Sequence, residues 1–216
     1  MIDGPAAARH DPLRACTIAA LLALLFCALS AATAWPLWES AFRSDGSPVS
    51  WLSSALLLSN AVMAARLGLE RGLPTRLAAW LAGAILLLAL DEQFMFHERW
   101  KFGCSTWFEA CRGLPALAEA PIPLVGVVGL ASAAWLHHAL PTRAARVGLW
   151  AALAVGVWAL VIDQTPMPAE IAVFEELFEV LAEALFLGVL FSVPPARLPD
   201  RASASGPGCP SGRSAA

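Results

Sequence analysis

Charge is scarce in this chain. Only 14% of its 216 residues are Asp, Glu, Lys or Arg, against roughly a quarter in an ordinary soluble domain. No block of basic residues accompanies the net charge of −3, so there is no electrostatic footprint for nucleic acid. Gly-rich phosphate loops, Walker and Rossmann fingerprints, paired Cys-x2-Cys motifs and strong internal repeats are also missing. What fills the chain is apolar: 58% hydrophobic residues and a mean hydropathy of +0.65, arranged in long runs. That pattern excludes an ordinary soluble domain and implies an all-α, polytopic transmembrane bundle whose first partner is the lipid bilayer.

A spanning helix needs about 20 mostly apolar residues. Six segments qualify, at 16–36, 49–67, 77–97, 121–140, 146–163 and 170–192. Pro, Gly and Arg punctuate the gaps, as in Arg71-Gly72-Leu73-Pro74 and Pro141-Thr142-Arg143. The sequence therefore divides into a disordered segment 1–15, a six-helix domain 16–192 and a disordered tail 193–216, whose ends are rich in Pro, Ser, Gly, Ala and Arg. Ten of the fourteen basic residues fall at the two ends and in the 66–76 and 141–146 loops. Arg43, Arg99, Lys101 and Arg112 occupy the alternate loops. By the positive-inside rule both termini are cytoplasmic, in an inner (cell) membrane. The tryptophans agree: Trp35, Trp38, Trp51, Trp100 and Trp107 mark an outer belt, and Trp80, Trp135 and Trp150 an inner one.

The outer loop 98–120 holds Cys104 and Cys111, where a disulfide can persist; two free thiols are the alternative. Cys16 and Cys27 read as small apolar residues of the first helix, and Cys209 lies in the inner tail. A second reading of the first segment is a cleaved signal peptide, since Ala32-Thr33-Ala34 resembles a signal-peptidase site. The run before it is longer than the usual 7–15 apolar residues.

Nine of the seventeen carboxylates sit where an apolar bundle should have none, in or at the ends of the third, fifth and sixth segments. Asp91 and Glu92 follow Arg76 by only about 21 Å of helix, which places them inside the membrane. The last segment carries Glu170, Glu175, Glu176, Glu179 and Glu183. One carboxylate at mid-bilayer costs about 2.5–3.5 kcal/mol on insertion scales, so Glu179 and Glu183 together cost about 5–7 kcal/mol. At about 100° per residue Glu175, Glu176, Glu179 and Glu183 share a sector of about 100°, which must face the interior or water. Asp91 and Glu98 share a helical face, with Glu92 beside them, whereas His97 points roughly 120° away from Asp91 on a continuous helix. The third segment ends, and the sixth begins, on the outer side, and Asp163 closes the fifth at that level. Arg99 or Lys101 is the expected basic partner of Glu98. His137 and His138 fall at the inner end and read as interfacial.

Three functions fit such a cluster. Carboxylate oxygens with one imidazole suit a divalent metal (Fe, Mn or Zn), with Asp91, Glu92, His97, Glu98, Glu175, Glu176, Glu179 and Glu183 as ligands and Asp163 and Glu170 as accessory groups. That site would serve a metal-dependent enzyme acting on a lipid-soluble or outer-leaflet substrate. Stacked membrane acids also make proton relays and cation sites, with Ser59 and Asn60 as polar continuations at mid-depth. The third reading is structural: acids protonated by burial, or paired with Arg99, Lys101 and Arg112.

The stretch Leu90-Asp91-Glu92 followed after four residues by His97-Glu98, with Glu175-Glu176 and Glu179 later, resembles a group of uncharacterised bacterial multi-pass membrane proteins. The likeness covers the third to sixth segments and implies no activity. Two characterised families depart from the pattern. The CAAX-protease-like family has Arg four residues after its paired glutamates, where this chain has Val180, and histidine motifs beyond, where it has none. The alkaline-ceramidase-like family builds zinc on His-x3-His, a motif this chain lacks.

Overall fold

The computed structural model describes residues 11–43, 46–114, 116–165, 171 and 173–195. Among them it holds ten helices and no strand: α1 (Pro12–Thr33), α2 (Ser40–Arg43), α3 (Pro48–Leu69), α4 (Thr75–Phe94), α5 (Phe96–Trp107), α6 (Glu109–Gly113), α7 (Ala116–Glu119), α8 (Pro121–Ala139), α9 (Arg143–Gln164) and α10 (Phe174–Phe191). Of these, α1, α3, α4, α8 and α9 are long and apolar enough to cross a membrane. The sixth long helix, α10, has 18 residues but carries four glutamates, so hydropathy alone does not class it with the five. The expected disorder of residues 1–10 and 196–216 lies outside the described residues.

Local signals explain most of the boundaries. Asp11 accepts the Leu13 N–H at 3.0 Å and Pro12 fills the first turn, so α1 starts four residues before the expected 16. Ser47 accepts the Ser50 N–H at 3.1 Å ahead of α3, again with Pro at the first position. Thr142 accepts the Ala145 N–H at 3.1 Å and starts α9. The large departure is in the third segment. A continuous helix over 77–97 was expected, yet α4 stops at Phe94 and a new helix begins at Phe96.

α10 is the axis of the bundle, packed against α9, α1 and α3, while α3 and α4 form an antiparallel pair. In lipid the drive for such packing is close van der Waals approach, which favours small residues at crossings. Gly188 supplies one: a Cβ there would lie 2.5 Å from the Cys16 Cα, so α1 and α10 touch through backbone. α8 sits at the edge, burying only Ala133 and Leu136. Two apolar clusters share the interior. One, with Ala64, Leu67, Leu77, Leu136, Val189 and Leu190, fills the half that holds the 70–74 and 140–142 turns. The smaller, with Ala23, Cys27, Phe42, Val49, Val180 and Ala184, reaches toward the opposite end, where the acids lie.

Candidate functional site

The site begins at the break between α4 and α5. Met95 adopts the left-handed conformation, φ 52° and ψ 47°, and turns the chain out of α4. Asp91 holds that turn from both sides. Its carbonyl accepts the Met95 N–H at 2.6 Å, and its carboxylate Oδ1 accepts the His97 backbone N–H at 2.9 Å. Met95 makes no side-chain cap for α5, so Asp91 does the capping from the preceding helix. Its other oxygen, Oδ2, lies 2.8 Å from His97 Nδ1. The continuous helix that would have turned His97 away from Asp91 does not exist, because the turn at Met95 swings the imidazole back. Glu98 likewise belongs to α5 and no longer shares a helical face with Asp91. With Nδ1 engaged by a carboxylate, a neutral His97 keeps its lone pair on Nε2, the arrangement of an oriented base or ligand.

The other acids converge from four helices. Ser50 on α3 donates to Glu92 at 3.2 Å. Glu175 at the start of α10 stands in the field of Asp163 from α9, Glu92 from α4, and Glu98 and His97 from α5. One turn deeper, Glu179 feels Glu176, Glu92, Glu175 and Asp163. Deeper again, Glu183 feels Glu179, Glu92 and Glu176, and Glu176 also acts on the Cys27 thiol of α1. The described acids of the third, fifth and sixth segments therefore lie within electrostatic reach of one another, with Glu175, Glu179 and Glu183 on successive turns of α10. Asp163 is exposed at its mouth, bonded by Gln164 at 2.5 Å. Glu170 lies outside the described residues.

At the deep end the column meets α3. Ser53 donates to Glu183 Oε1 at 2.8 Å, and Asn60 Nδ2 donates to the Glu183 backbone carbonyl at 3.0 Å. Sequence reading missed Ser50 and Ser53. The signal was there: Ser50, Ser53 and Asn60 fall within about 80° of one helical face, a polar stripe on an otherwise apolar segment. Ser59, expected to face the path, instead bonds the Ala55 carbonyl of its own helix and is exposed.

The proposed eight-residue metal shell is not assembled. Among the described residues no three His, Cys, Asp or Glu side chains are grouped so as to hold one metal ion. The reason is geometric: Glu175 to Glu183 spans eight residues, about 12 Å of helix, so the acids form a column and not a shell. Asp91 is occupied by His97, and Glu183 by Ser53. The Arg112 Nε donates to the Ser105 carbonyl at 2.8 Å. Arg99 is exposed.

Beside the column, α5 and α6 are joined by a Cys104–Cys111 disulfide, Cα atoms 5.9 Å apart. Cys16 and Cys27 are buried free thiols; Cys209 lies outside the described residues. His137, far from the acids, accepts the Trp150 indole N–H at 2.9 Å. An apolar groove of 280 Å³ opens between α1, α2 and α10, lined by Leu24, Cys27, Ala31, Trp38, Phe42 and Leu177.

A family model described as a domain of unknown function (DUF8692) matches residues 13–193, nearly the whole helical region. No curated protein and no solved structure matches the chain significantly.

Proposed function

We propose that this chain, which belongs to the DUF8692 family, is a six-span inner-membrane protein whose acid column takes up protons or other cations from the outer side. α10 is the sixth span. Its 18 residues cover about 27 Å, and its packing against α9, α1 and α3 keeps the glutamates out of lipid. With ten of fourteen basic residues at the termini and alternate loops, the ends are cytoplasmic and the Asp91–His97 turn faces outward. The observation that carries the reading is the placement of Glu175, Glu179 and Glu183 on successive turns of α10, with Ser53 of α3 donating to the deepest of them at 2.8 Å. Like charges so close in a low dielectric cannot all remain uncompensated; protons or cations must share the column. Below Glu183 the apolar cluster with Leu57, Leu185 and Val189 closes the other half, as an outward-facing arrangement requires.

The test is flux. Purified protein in liposomes loaded with a pH-sensitive dye should acidify the lumen under an inward proton gradient. Glu179→Gln, which cannot release a proton, should abolish that signal while remaining folded. Equal rates for wild type, Glu179→Gln and empty liposomes would refute transport and leave the structural role.

A second reading has its own observations. The carboxylate-held His97 and the apolar groove, whose Cys27 wall lies in the field of Glu176, suit a metal-dependent membrane enzyme acting on a lipid-soluble, outer-leaflet substrate. It requires the acids to close around Fe, Mn or Zn from their present spacing. Stoichiometric metal in detergent-purified wild type, lost in Glu179→Ala and needed for thermal stability, would favour it over the proton reading.

A further inference from the structure

Two oxygens at the deep end of the column stand without a hydrogen. Asn60 is 1% exposed, and its Oδ1 and Glu183 Oε2 are both buried with no hydrogen-bonding partner. The same two residues are already tied together, because Asn60 Nδ2 donates to the Glu183 carbonyl. Ser53 occupies only Oε1 of the carboxyl. Glu176 Oε2, higher on α10, is a third such oxygen, but only Asn60 and Glu183 are joined by a hydrogen bond, and their two orphan acceptors lack a donor. A protonated carboxyl supplies it, being one O–H donor plus an acceptor.

We propose that Glu183, Asn60 and Ser53 form a discrete proton-binding site at mid-membrane, in which Glu183 Oε2 carries a hydrogen and donates it to Asn60 Oδ1. The ring of bonds then closes. The Ser53 hydroxyl donates to Oε1, the Glu183 hydroxyl donates to Asn60 Oδ1, and the Asn60 amide donates to the Glu183 backbone carbonyl. A metal cation fits the same space poorly. Glu183, Asn60 and Ser53 offer four side-chain oxygens, whereas calcium takes six to eight and magnesium a near-ideal octahedron. The groups that act on Glu183 are Glu179 and Glu176 of α10 and Glu92 of α4. α3 faces it with the neutral Ser53 and Asn60, and α1 packs on α10 nearby, where the Cys16 thiol donates to the Leu185 carbonyl. From α9, Asp163 acts on Glu175 and Glu179. Loading is a simple transfer: the proton on the Glu179 carboxylic acid moves to the Glu183 carboxylate, leaving Glu179 ionised and Glu183 neutral.

This assignment rests on the proton reading of the column, and infrared spectroscopy of the reconstituted full chain tests it separately from flux. Wild type at neutral pH should show a carboxylic-acid C=O band that Glu183→Gln removes. The Gln side chain replaces the O–H with an N–H, keeps the ring closed, and should melt within about 3 °C of wild type. Asn60→Leu removes the acceptor and should move the band to higher frequency. If Glu183→Gln does not fold, the Asn60→Leu shift decides alone. A band unchanged in either variant, or a wild-type melting temperature set by sodium or divalent cation at constant pH, overturns the assignment. Flux without the band would refute this site and leave the column's function standing. The band without flux would refute transport and leave the site.

Discussion

Asp91 binds His97 twice across a left-handed residue, once through the backbone N–H at 2.9 Å and once through Nδ1 at 2.8 Å. One carboxylate thus caps α5 and orients the histidine closest to the acid column. Asp91→Ala should cost about 1–2 kcal/mol, the worth of a lost helix cap together with one hydrogen bond. It should also release the imidazole. Thermal melts and the rate of histidine modification by diethylpyrocarbonate measure the two effects. An unchanged modification rate would show that the contact does not hold His97.

Met95 at φ 52° carries the cost of a left-handed L-residue, about 1–2 kcal/mol. Met95→Gly should be tolerated without loss of stability, because glycine enters that region freely. Met95→Ile, β-branched, should destabilise by more than about 1 kcal/mol. If Ile and Gly melt alike, the turn is not where the structure places it.

Gly188 tests the axis of the bundle. A methyl group 2.5 Å from the Cys16 Cα must push α1 off α10, so Gly188→Ala should cost about 1–3 kcal/mol, the range of an overpacked core. Gly83 and Gly129, with nothing near an added Cβ, are the controls and should accept alanine. Detergent-solubilised melting temperatures compare the three.

The link between α5 and α6 supplies a covalent marker. Alkylation of native protein should leave Cys104 and Cys111 unlabelled until a reductant is added, because they are joined. Labelling of both without reductant would show open thiols.

Topology is the premise of the depth argument. A reporter fused after Ala118 should be active outside and one fused after Arg143 inside, following the basic-residue bias. The reverse pattern would put the acid column in the inner half and turn the direction of uptake round.

The long helices were legible in the sequence because lipid imposes a simple rule: about 20 apolar residues, broken by Pro, Gly and Arg. That rule found α1, α3, α4, α8, α9 and α10 to within a few residues. It also marked the acids as interior, since Glu175, Glu176, Glu179 and Glu183 share a sector that lipid cannot solvate. A helical wheel places His97 away from Asp91 only if the helix runs straight, and nothing in Phe94-Met95-Phe96 signals the left-handed break at Met95. That break is held by Asp91, six residues before the histidine, in contacts a helical wheel cannot show. Which hydroxyl meets which acid was only partly legible. Ser53 shares a polar face of α3 with Ser50 and Asn60 while Ser59 lies off it, but only the packing of α3 on α10 sets Ser53 against Glu183 and leaves Ser59 to its own backbone. The sequence by itself set the all-helical class and the five long apolar helices, because those depend on one chain segment in one solvent. Tertiary structure alone decided which groups from other helices meet the acids, Ser50 at Glu92 and Ser53 at Glu183. Those meetings depend on the relative rotation and offset of α3, α4 and α10, which no single segment encodes.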